Sequence, residues 1–404
     1  MTPIVWPLAA VMLVQAMLMV ATVTVPVLAP ELALATKIEP HWIGVYSSLV
    51  FVGALVSILL GGSLARRFGA VTMSQIALGI SGLALIATAS GTVSAITISA
   101  VIAGFGYGLA TPAASQILAN VTRPGRHGIV FSLKQSTVSL GGLIAGVLVP
   151  ALVVGFGWRA ATLFVGFLVI AGSVLIHPLR TSHDDRQPRG STTLVAPLRS
   201  IMYVLNHPRL RILALITFTF AAAQNSTNAI FVTYLVEKIE VPLVLAGLIF
   251  SSMQITGMTT RIFLGWISDH FISAIRLLGI IGLLIAITLM ALAFIKPTWS
   301  ITNIFILAGL TGIFVTGWSG VYLAEIARVV TPEHVAIATG GTVFFSFFGA
   351  AIGPSIFSLI VAATNNYTPA FIAIGTAAGL VGVLVLRYQR HTTIYTDHNQ
   401  HFGN

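Results

Sequence analysis

The sequence has very few charged residues and no cysteine. Asp, Glu, Lys and Arg together make up 7% of its 404 residues, whereas a soluble domain has about 25%. So few charges cannot cover the surface of a water-soluble fold, but a surface that faces lipid needs almost none. The absence of cysteine excludes disulfide bonds and thiolate metal sites, although it does not identify a redox compartment.

Long hydrophobic runs account for most of the chain. Hydrophobic residues make up 56% of it, and its mean hydropathy is +0.98. Because about 20 apolar residues cross the hydrocarbon core of a bilayer as a helix, the runs predict an all-α integral membrane protein with twelve transmembrane helices. The predicted spans are 5–29, 43–64, 71–89, 94–119, 129–156, 160–179, 210–235, 243–268, 275–295, 300–323, 336–363 and 368–388. The first run lacks a preceding basic segment and a small-residue cleavage site, so we interpret it as span 1 rather than as a signal peptide.

Basic residues are distributed unevenly between the predicted loops. Of the 20 Lys and Arg residues, 14 fall in one set of alternate loops, 4 fall in the other set, and 2 lie inside spans. The positive-inside rule then places the Arg-rich loops and both termini in the cytoplasm, with the protein in a bacterial inner membrane. The formal net charge is +10, but the basic residues form neither a stripe nor a nucleic-acid motif, so nucleic acid is not an expected partner.

The longest predicted loop separates six spans from six. It predicts an N-terminal bundle over 1–180, a cytoplasmic linker over 181–208, a C-terminal bundle over 209–390 and a cytoplasmic tail over 391–404. The bundles also resemble repeats, since Gly44 and Gly247 each begin a span and stand 203 residues apart (247 − 44). Tandem bundles related by an axis along the membrane normal are a transporter design, with the solute site at the midplane between them.

The loop after span 2 carries a distinctive sequence. It reads Gly62-Ser63-Leu64-Ala65-Arg66-Arg67-Phe68-Gly69-Ala70-Val71, and the second bundle has Gly265-Trp266-Ile267-Ser268-Asp269-His270-Phe271 at the corresponding place. Together with the six-plus-six layout, these segments resemble the major facilitator superfamily, whose signature there runs G-x-L-a-D-r-x-G-r-k. The first copy has Arg66 in place of the signature's Asp, and the second copy keeps Asp269. The resemblance covers essentially the whole chain and implies two pseudo-symmetric six-helix bundles that transport a solute by alternating access.

Span 5 carries a second, narrower resemblance. The run Phe131-Ser132-Leu133-Lys134-Gln135, followed by Gly141-Gly142, is similar to branches that carry small anions or organic acids, including the cyanate-transporter-like group. Many proton-coupled members place an Arg in span 4 shortly before a Gly, but here Ala100 precedes Gly104 at that spacing. The resemblance therefore favours an anion carrier over a drug/proton antiporter.

Two basic residues lie inside predicted spans, and each is a functional hypothesis because charge at membrane depth is costly. Lys134 in span 5 could supply positive charge to the solute, or its stem could reach back to the membrane interface. Arg261 in span 8 could grip an oxyanion through its planar fork, or act as a gate or an interfacial residue. No Asp or Glu lies in the middle of a predicted span, so the sequence favours an anionic solute.

Polar side chains complete the candidate site. Span 7 contains Gln224-Asn225-Ser226-Thr227-Asn228, five consecutive polar residues that cover every face of a helix. They predict either an unwound segment or a gate on the outer side, or polar contacts between helices. The predicted solute-binding residues are Lys134, Gln135, Arg261, Asn225, Asn228, Gln254 and Gln15.

The signature also implies a gate at the cytoplasmic side. In the family this Asp is expected to meet the N-terminus of span 11, where the helix dipole favours a carboxylate. Arg66 would be repelled there, so we predict that it contributes little or seeks Glu325 or Glu333. By pseudo-symmetry Asp269 is predicted to face the start of span 5 at 126–127. The predicted gating residues are Asp269, Arg66, Arg67, Glu325 and Arg328, and the last two are expected to form an intrahelical pair.

Motifs for chemistry are missing from the sequence. It has no catalytic constellation, no metal-ligand spacing and no phosphate-binding loop for ATP hydrolysis. We therefore expect no enzyme, cofactor or metal, but a secondary transporter for a small organic or inorganic anion. Two alternatives stay open, an efflux carrier for lipophilic drug-like compounds and a non-transporting membrane sensor. The expected partners are the solute and the lipid bilayer, and the protein is expected to be a monomer.

Overall fold

The chain folds almost entirely as helices. The computed structural model describes residues 5–122, 127–180, 184 and 195–401, and no β-strand occurs among them. In hydrocarbon a helix satisfies its backbone hydrogen bonds within its own segment, which is why the long apolar runs take this form. The prediction of an all-helical membrane protein is confirmed.

The helices follow the predicted spans closely. Spans 1 to 4 are Val5–Val27, Ile43–Phe68, Ala70–Thr88 and Val93–Val121, with a short helix Ala29–Thr36 after span 1. Spans 5 and 6 form one run, His127–Leu175, that bends at Gly157, whose φ of 84° suits glycine. Spans 7, 8 and 9 are Pro208–Glu237, Leu243–His270 and Ala274–Ala293. Span 10 consists of Ile301–Thr311, a π-helical turn Gly312–Thr316 and Ser319–Val329, and spans 11 and 12 are Val335–Thr364 and Tyr367–His401.

The number of spans agrees with the sequence once two helices are considered separately. In the described residues, ten helical stretches are long and apolar enough to cross a membrane. One of them, Leu133–Leu179, contains both arms of the bent run. Pro208–Glu237 has 30 residues but carries the polar run of span 7, which lowers its hydropathy. Counting the bent run twice and adding span 7 gives twelve (10 + 1 + 1).

The spans pack as two groups of six. In the first half, span 2 packs along span 4 and span 1 along span 5, and in the second half span 9 packs along span 12 and span 7 along span 11. The halves meet where span 5 packs on span 8 and where span 2 packs on span 11. Side chains on these four helices can therefore contact both halves at once.

The segment predicted as a linker contains a helix, Val195–Asn206, which we call the linker helix. It packs against Gly341 of span 11, and span 7 begins directly after it at Pro208. The segment predicted as a tail is also partly helical, since span 12 continues to His401. We call the end of the bundle that carries the linker helix the linker end.

Glycine and proline bring the halves into close contact at the opposite end. Gly44 of span 2 lies against Pro354 of span 11, and Gly247 of span 8 lies against Pro150 of span 5. A Cβ atom on either glycine would overlap atoms of the facing helix. These four residues form a glycine–proline seam whose two contacts occupy equivalent places in the two halves.

Candidate functional site

Lys134 lies in span 5 with its side chain turned toward span 4. Its residue is 6% exposed, and its Nζ donates to Ser115 Oγ at 3.0 Å and to the Thr111 carbonyl at 3.3 Å. Lys134 stands seven residues after His127, which is about 10 Å from the linker end. Ser115 lies six residues before the end of span 4, at a similar depth. The ammonium group is therefore held at the level of its own backbone rather than drawn to the interface.

Arg261 of span 8 connects the two halves. It is 4% exposed, its Nε donates to the Thr316 carbonyl at 3.0 Å, and its Nη1 donates to the carbonyl of Gln135 in span 5. Thr316 ends the π-helical turn of span 10, and Gly257 allows span 8 to approach that turn closely. Because Gln135 follows Lys134 directly, the two buried cations lie on facing helices at the boundary between the halves.

The described acceptors of Arg261 carry no net charge. The ion pairs of the described residues join His41 to Glu39, Arg180 to Asp184, and Arg328 to Asp269. None of them involves Arg261, whose described partners are carbonyl oxygens. Along span 10, Glu325 stands nine residues beyond Thr316, a rise of about 13 Å. Arg261 is therefore a buried cation without an acidic partner among the described residues.

Tyr107 of span 4 lies near Arg261, on the side of the first half. Its hydroxyl is close to Gln15 of span 1 and to the guanidinium of Arg261. Its ring lies 6.2 Å from that of Phe51 and 6.0 Å from that of Phe347 in span 11, measured between centroids. Tyr107 and Gln15 thus belong to the same boundary as the two cations.

The polar run of span 7 stays helical, so the expectation of an unwound segment is wrong. Pro208–Glu237 is continuous, because four of its five polar side chains find partners on neighbouring helices or on their own backbone. Gln224 Oε1 accepts from Trp318 Nε1 at 3.0 Å, and Asn228 Oδ1 accepts from Gln254 Nε2 at 3.0 Å. Asn225 instead donates to the carbonyl of Ala221, one turn earlier on its own helix, at 2.9 Å.

Buried hydroxyl groups add unused capacity for hydrogen bonds. Ser139, Ser226 and Ser319 are buried, and their Oγ atoms have no hydrogen-bond partner among the described residues. Gln254 also packs against Gly142 of span 5. The boundary between the halves therefore combines cations, amides and hydroxyls, and the predicted solute-binding roles of these residues stay predictions.

At the linker end, Asp269 forms an ion pair with Arg328 of span 10. Arg328 also donates to the Ser268 carbonyl at 3.4 Å. The expected intrahelical pair of Glu325 and Arg328 does not form, because these two acceptors at the end of span 8 engage the guanidinium instead. The predicted approach of Asp269 to Arg126 and to the side chain of His127 lies outside the described residues.

Arg66 and Arg67 are both exposed at the end of span 2. The guanidinium of Arg67 lies over the Phe68 ring, 5.1 Å from its centroid. The ion pairs of the described residues do not include Arg66, so its predicted pairing with Glu325 or Glu333 is not formed in this structure. Both acids lie in or next to the last turns of span 10, whereas the exposed Arg66 side chain lies near Gly62, one turn earlier on span 2.

Asp184 makes a clamp that sequence reasoning missed. Its carboxylate accepts from Val71 N at 2.7 Å, from Thr72 N at 3.3 Å and from Thr72 Oγ1 at 2.6 Å, at the start of span 3. Gly69, with φ of 97°, lies directly against the same carboxylate. One feature of the sequence indicated that a carboxylate was missing here. Arg66 replaces the Asp of the signature, so the turn between spans 2 and 3 lacks the carboxylate that the signature supplies.

A cavity of about 340 Å³ lies away from the cations, near the end of spans 1, 2 and 4 that is opposite the linker helix. Trp42, Tyr46 and Leu49 are among its mainly apolar lining residues, and Glu39 is its charged one. Within the described residues, no group of His, Asp and Glu is arranged to hold a metal ion. The geometry therefore singles out the boundary around Arg261 as the charged candidate site.

Comparison with known proteins gives a family and several distant relatives. The family model described as Major Facilitator Superfamily matches residues 10–327. A probable hexose phosphate transport protein of Chlamydia trachomatis is 23% identical over 80% of this chain and 77% of its own length. The membrane sensor protein UhpC of Salmonella typhimurium is 23% identical over 89% and 86%, and a hexuronate transporter of Bacillus subtilis is 22% identical over 86% and 85%.

Solved structures share the fold over most of the chain. A bacterial homologue of the human lysosomal transporter Spinster, in an inward-facing and occupied conformation, aligns with a TM-score of 0.72 at 16% identity. A POT family transporter in complex with 5-aminolevulinic acid aligns with a TM-score of 0.75 at 14% identity. Each alignment covers 94% of this chain and 95% of the other.

Proposed function

The chain belongs to the major facilitator superfamily and is a solute transporter rather than an enzyme, and from this premise we propose that it carries a small anion across a bacterial inner membrane by alternating access. The observation that carries the proposal is the position of Lys134 and Arg261. Arg261 is buried and its described partners are carbonyl oxygens, and a buried cation is costly without an anionic partner. An oxyanion bound by Arg261, beside Lys134, would offset that cost.

The hydrogen bonds of Arg261 suggest how the solute is coupled to movement. The guanidinium donates across the boundary to the Gln135 carbonyl, and a carboxylate or phosphate is a stronger acceptor than a neutral carbonyl. A bound anion would therefore replace the contact between the halves with contacts to itself. Binding that favours one arrangement of the halves shifts their equilibrium toward it.

The polar groups near the cations favour a hydroxylated organic anion. Unused hydroxyls such as Ser139 and Ser226, with the amides of Gln254 and Asn228, can hydrogen-bond to hydroxyl groups of a solute. The names of the relatives point to the same chemistry, since hexose phosphates and hexuronates are hydroxylated anions. We therefore place sugar phosphates and sugar acids first among the candidate solutes.

Uptake into proteoliposomes tests the proposal. Purified protein is reconstituted and supplied with radiolabelled inorganic phosphate, a hexose phosphate, a hexuronate and a neutral hexose. We expect uptake of at least one anion and none of the neutral hexose. Equal uptake of the neutral hexose would refute the anion assignment.

Variants of the cations locate the site. Lys134→Gln and Arg261→Gln are each expected to weaken anion binding by about 1–3 kcal/mol, the range for charge-assisted hydrogen bonds, or roughly 5-fold to 150-fold in Kd. Lys134→Arg is expected to retain part of the affinity. Lys296→Gln, which removes an exposed cation between spans 9 and 10, is the matched control and should bind normally. Normal anion binding by both of the first two variants would exclude this site.

A membrane sensor is the second candidate, because a relative named as a sensor matches 89% of this chain. A sensor of this kind would bind the anion through the same cations but would not accumulate it. Binding by isothermal calorimetry without uptake into proteoliposomes would identify the sensor. Uptake that needs Lys134 and Arg261 would identify the carrier.

A further inference from the structure

The linker helix has one face fixed to span 11. Ser200 and Val204 pack directly against Gly341. One turn along, the Tyr203 ring stacks on His334, with centroids 5.3 Å apart and planes 3° from parallel. These contacts define the docked face of the helix.

The opposite face is apolar and uncovered. Leu198, Met202 and Leu205 are 61%, 55% and 43% exposed. At 100° per residue, positions i, i+4 and i+7 form one stripe, and this stripe lies about 150° from Ser200 and Val204. Three adjacent large apolar side chains on a 12-residue helix are more than a water-facing surface element normally carries.

The depth of the linker helix matches that of a membrane interface. Gly341, on which it docks, lies six residues inside span 11, which begins at Val335. Six residues correspond to a rise of about 9 Å. Amphipathic helices that lie on membranes bury their apolar faces about 5–10 Å into the boundary between headgroups and acyl chains. Span 7 also enters the membrane directly after this helix, at Pro208.

The docking position faces away from the first half. Phe348 lies seven residues after Gly341 and therefore on the same face of span 11, and it is 41% exposed. The neighbouring Phe347 points elsewhere, to Phe51 of span 2, with ring centroids 5.8 Å apart. The linker helix thus sits on the outward surface of span 11, where lipid surrounds the bundle.

The charge beside the stripe is positive. Arg199, Arg209 and Arg211 are exposed, and the sequence from 195 to 211 contains no Asp or Glu. Basic residues next to an amphipathic helix are attracted to anionic phospholipid headgroups.

We propose that the linker helix is an interfacial membrane helix, whose stripe of Leu198, Met202 and Leu205 inserts into the bilayer at the linker end and whose flanking arginines bind anionic phospholipid headgroups. The occupant of the stripe is the acyl-chain region of one leaflet. The proposal is independent of the solute, because insertion of the linker helix into the bilayer involves no transport. Its tests also measure no transport.

Fluorescence quenching tests the insertion. The cysteine-free chain accepts a single Met202→Cys substitution, which is labelled with a small fluorophore and reconstituted into nanodiscs containing phospholipids with brominated acyl chains. Glu333→Cys, at an exposed position of the same end, is the matched control. Brominated lipid should quench the label at 202 more than the label at 333, and aqueous iodide should do the reverse.

Two results would overturn the insertion. Quenching of the label at 202 by iodide and not by bromine would place the stripe in water. Quenching by neither agent would show that protein, such as a second copy of this chain, covers it.

Lipid charge tests the role of the arginines. Bromine quenching of the label at 202 should increase when half of the phosphatidylcholine is replaced by phosphatidylglycerol. Combined Arg199→Gln, Arg209→Gln and Arg211→Gln substitutions should abolish this increase. Arg276→Gln, which removes an exposed arginine before span 9, should leave it intact. Quenching that is independent of phosphatidylglycerol in the unsubstituted chain would refute binding of anionic headgroups.

Discussion

Replacing Asp184 with alanine should destabilise the first half of the protein. The carboxylate caps the start of span 3 through Val71 N at 2.7 Å and through both the N–H and the hydroxyl of Thr72. Removing a side-chain cap costs about 0.5–2 kcal/mol, and removing a negative charge from a helix N-terminus costs about 0.3–1 kcal/mol more. Asp184→Ala should therefore lower the free energy of unfolding by about 1–3 kcal/mol.

Thermal unfolding of the purified protein in detergent measures this loss. A loss of 1–3 kcal/mol in a unit of this size corresponds to a decrease in Tm on the order of 5 °C. Arg180→Gln is the control, because it removes only the ion pair of Arg180 Nε with Asp184 at 3.7 Å, and that guanidinium side chain is 41% exposed. An exposed pair contributes less than about 1 kcal/mol, so the control should change Tm little.

A double-mutant cycle with Gly69 separates the contribution of the Asp184 clamp to stability from a general destabilisation of the first half. Gly69→Ala meets two penalties, a positive φ that costs about 1–3 kcal/mol and overlap of its Cβ with the Asp184 carboxylate. In the Asp184→Ala background only the first penalty remains, so Gly69→Ala should then cost less. The reasoning is refuted if Asp184→Ala is neutral, or if Gly69→Ala costs the same in both backgrounds.

Two further predictions concern the seam and the topology. Gly44→Ala or Gly247→Ala should force the glycine–proline seam apart, so the thiol of a Ser48→Cys variant, buried at that boundary, should react faster with a water-soluble reagent; an unchanged rate in both backgrounds would contradict this. A Ser182→Cys variant should be labelled by a membrane-impermeant reagent only after the cells are opened, because the charge bias places this loop in the cytoplasm. Labelling in intact cells would reverse the predicted orientation.

The span pattern could be predicted because a bilayer dictates both the length and the polarity of each helix. The break between spans 5 and 6 was expected near 157, and the structure bends at Gly157. Lys134 and Arg261 stood out because each is an isolated cation within an apolar run. The contact of Arg261 with the carbonyl of Gln135, next to Lys134, was not predictable, since the sequence does not reveal which helices face each other.

Three features were not predicted from the sequence, and each has a physical reason. The linker helix has 12 residues, which are too few to cross a bilayer. The polar run of span 7 stays helical because Trp318 and Gln254 supply partners from distant parts of the chain. The Asp184 clamp joins residues 113 positions apart, and local patterns carry no trace of such a contact.

The Asp184 clamp and the docked linker helix anchor both ends of the connection between the halves. The length of chain between the two anchors therefore limits how far apart they can move. From Asp184, held at the start of span 3, to Val195, where the linker helix begins, the chain has 11 steps (195 − 184). Fully extended, these steps reach about 36–40 Å. A movement of the halves that separated the two anchor points by more than this distance would have to detach one of them. The number of residues between the anchors thus sets an upper limit on the separation of the two anchor points, and deleting residues there would lower this limit without changing either bundle.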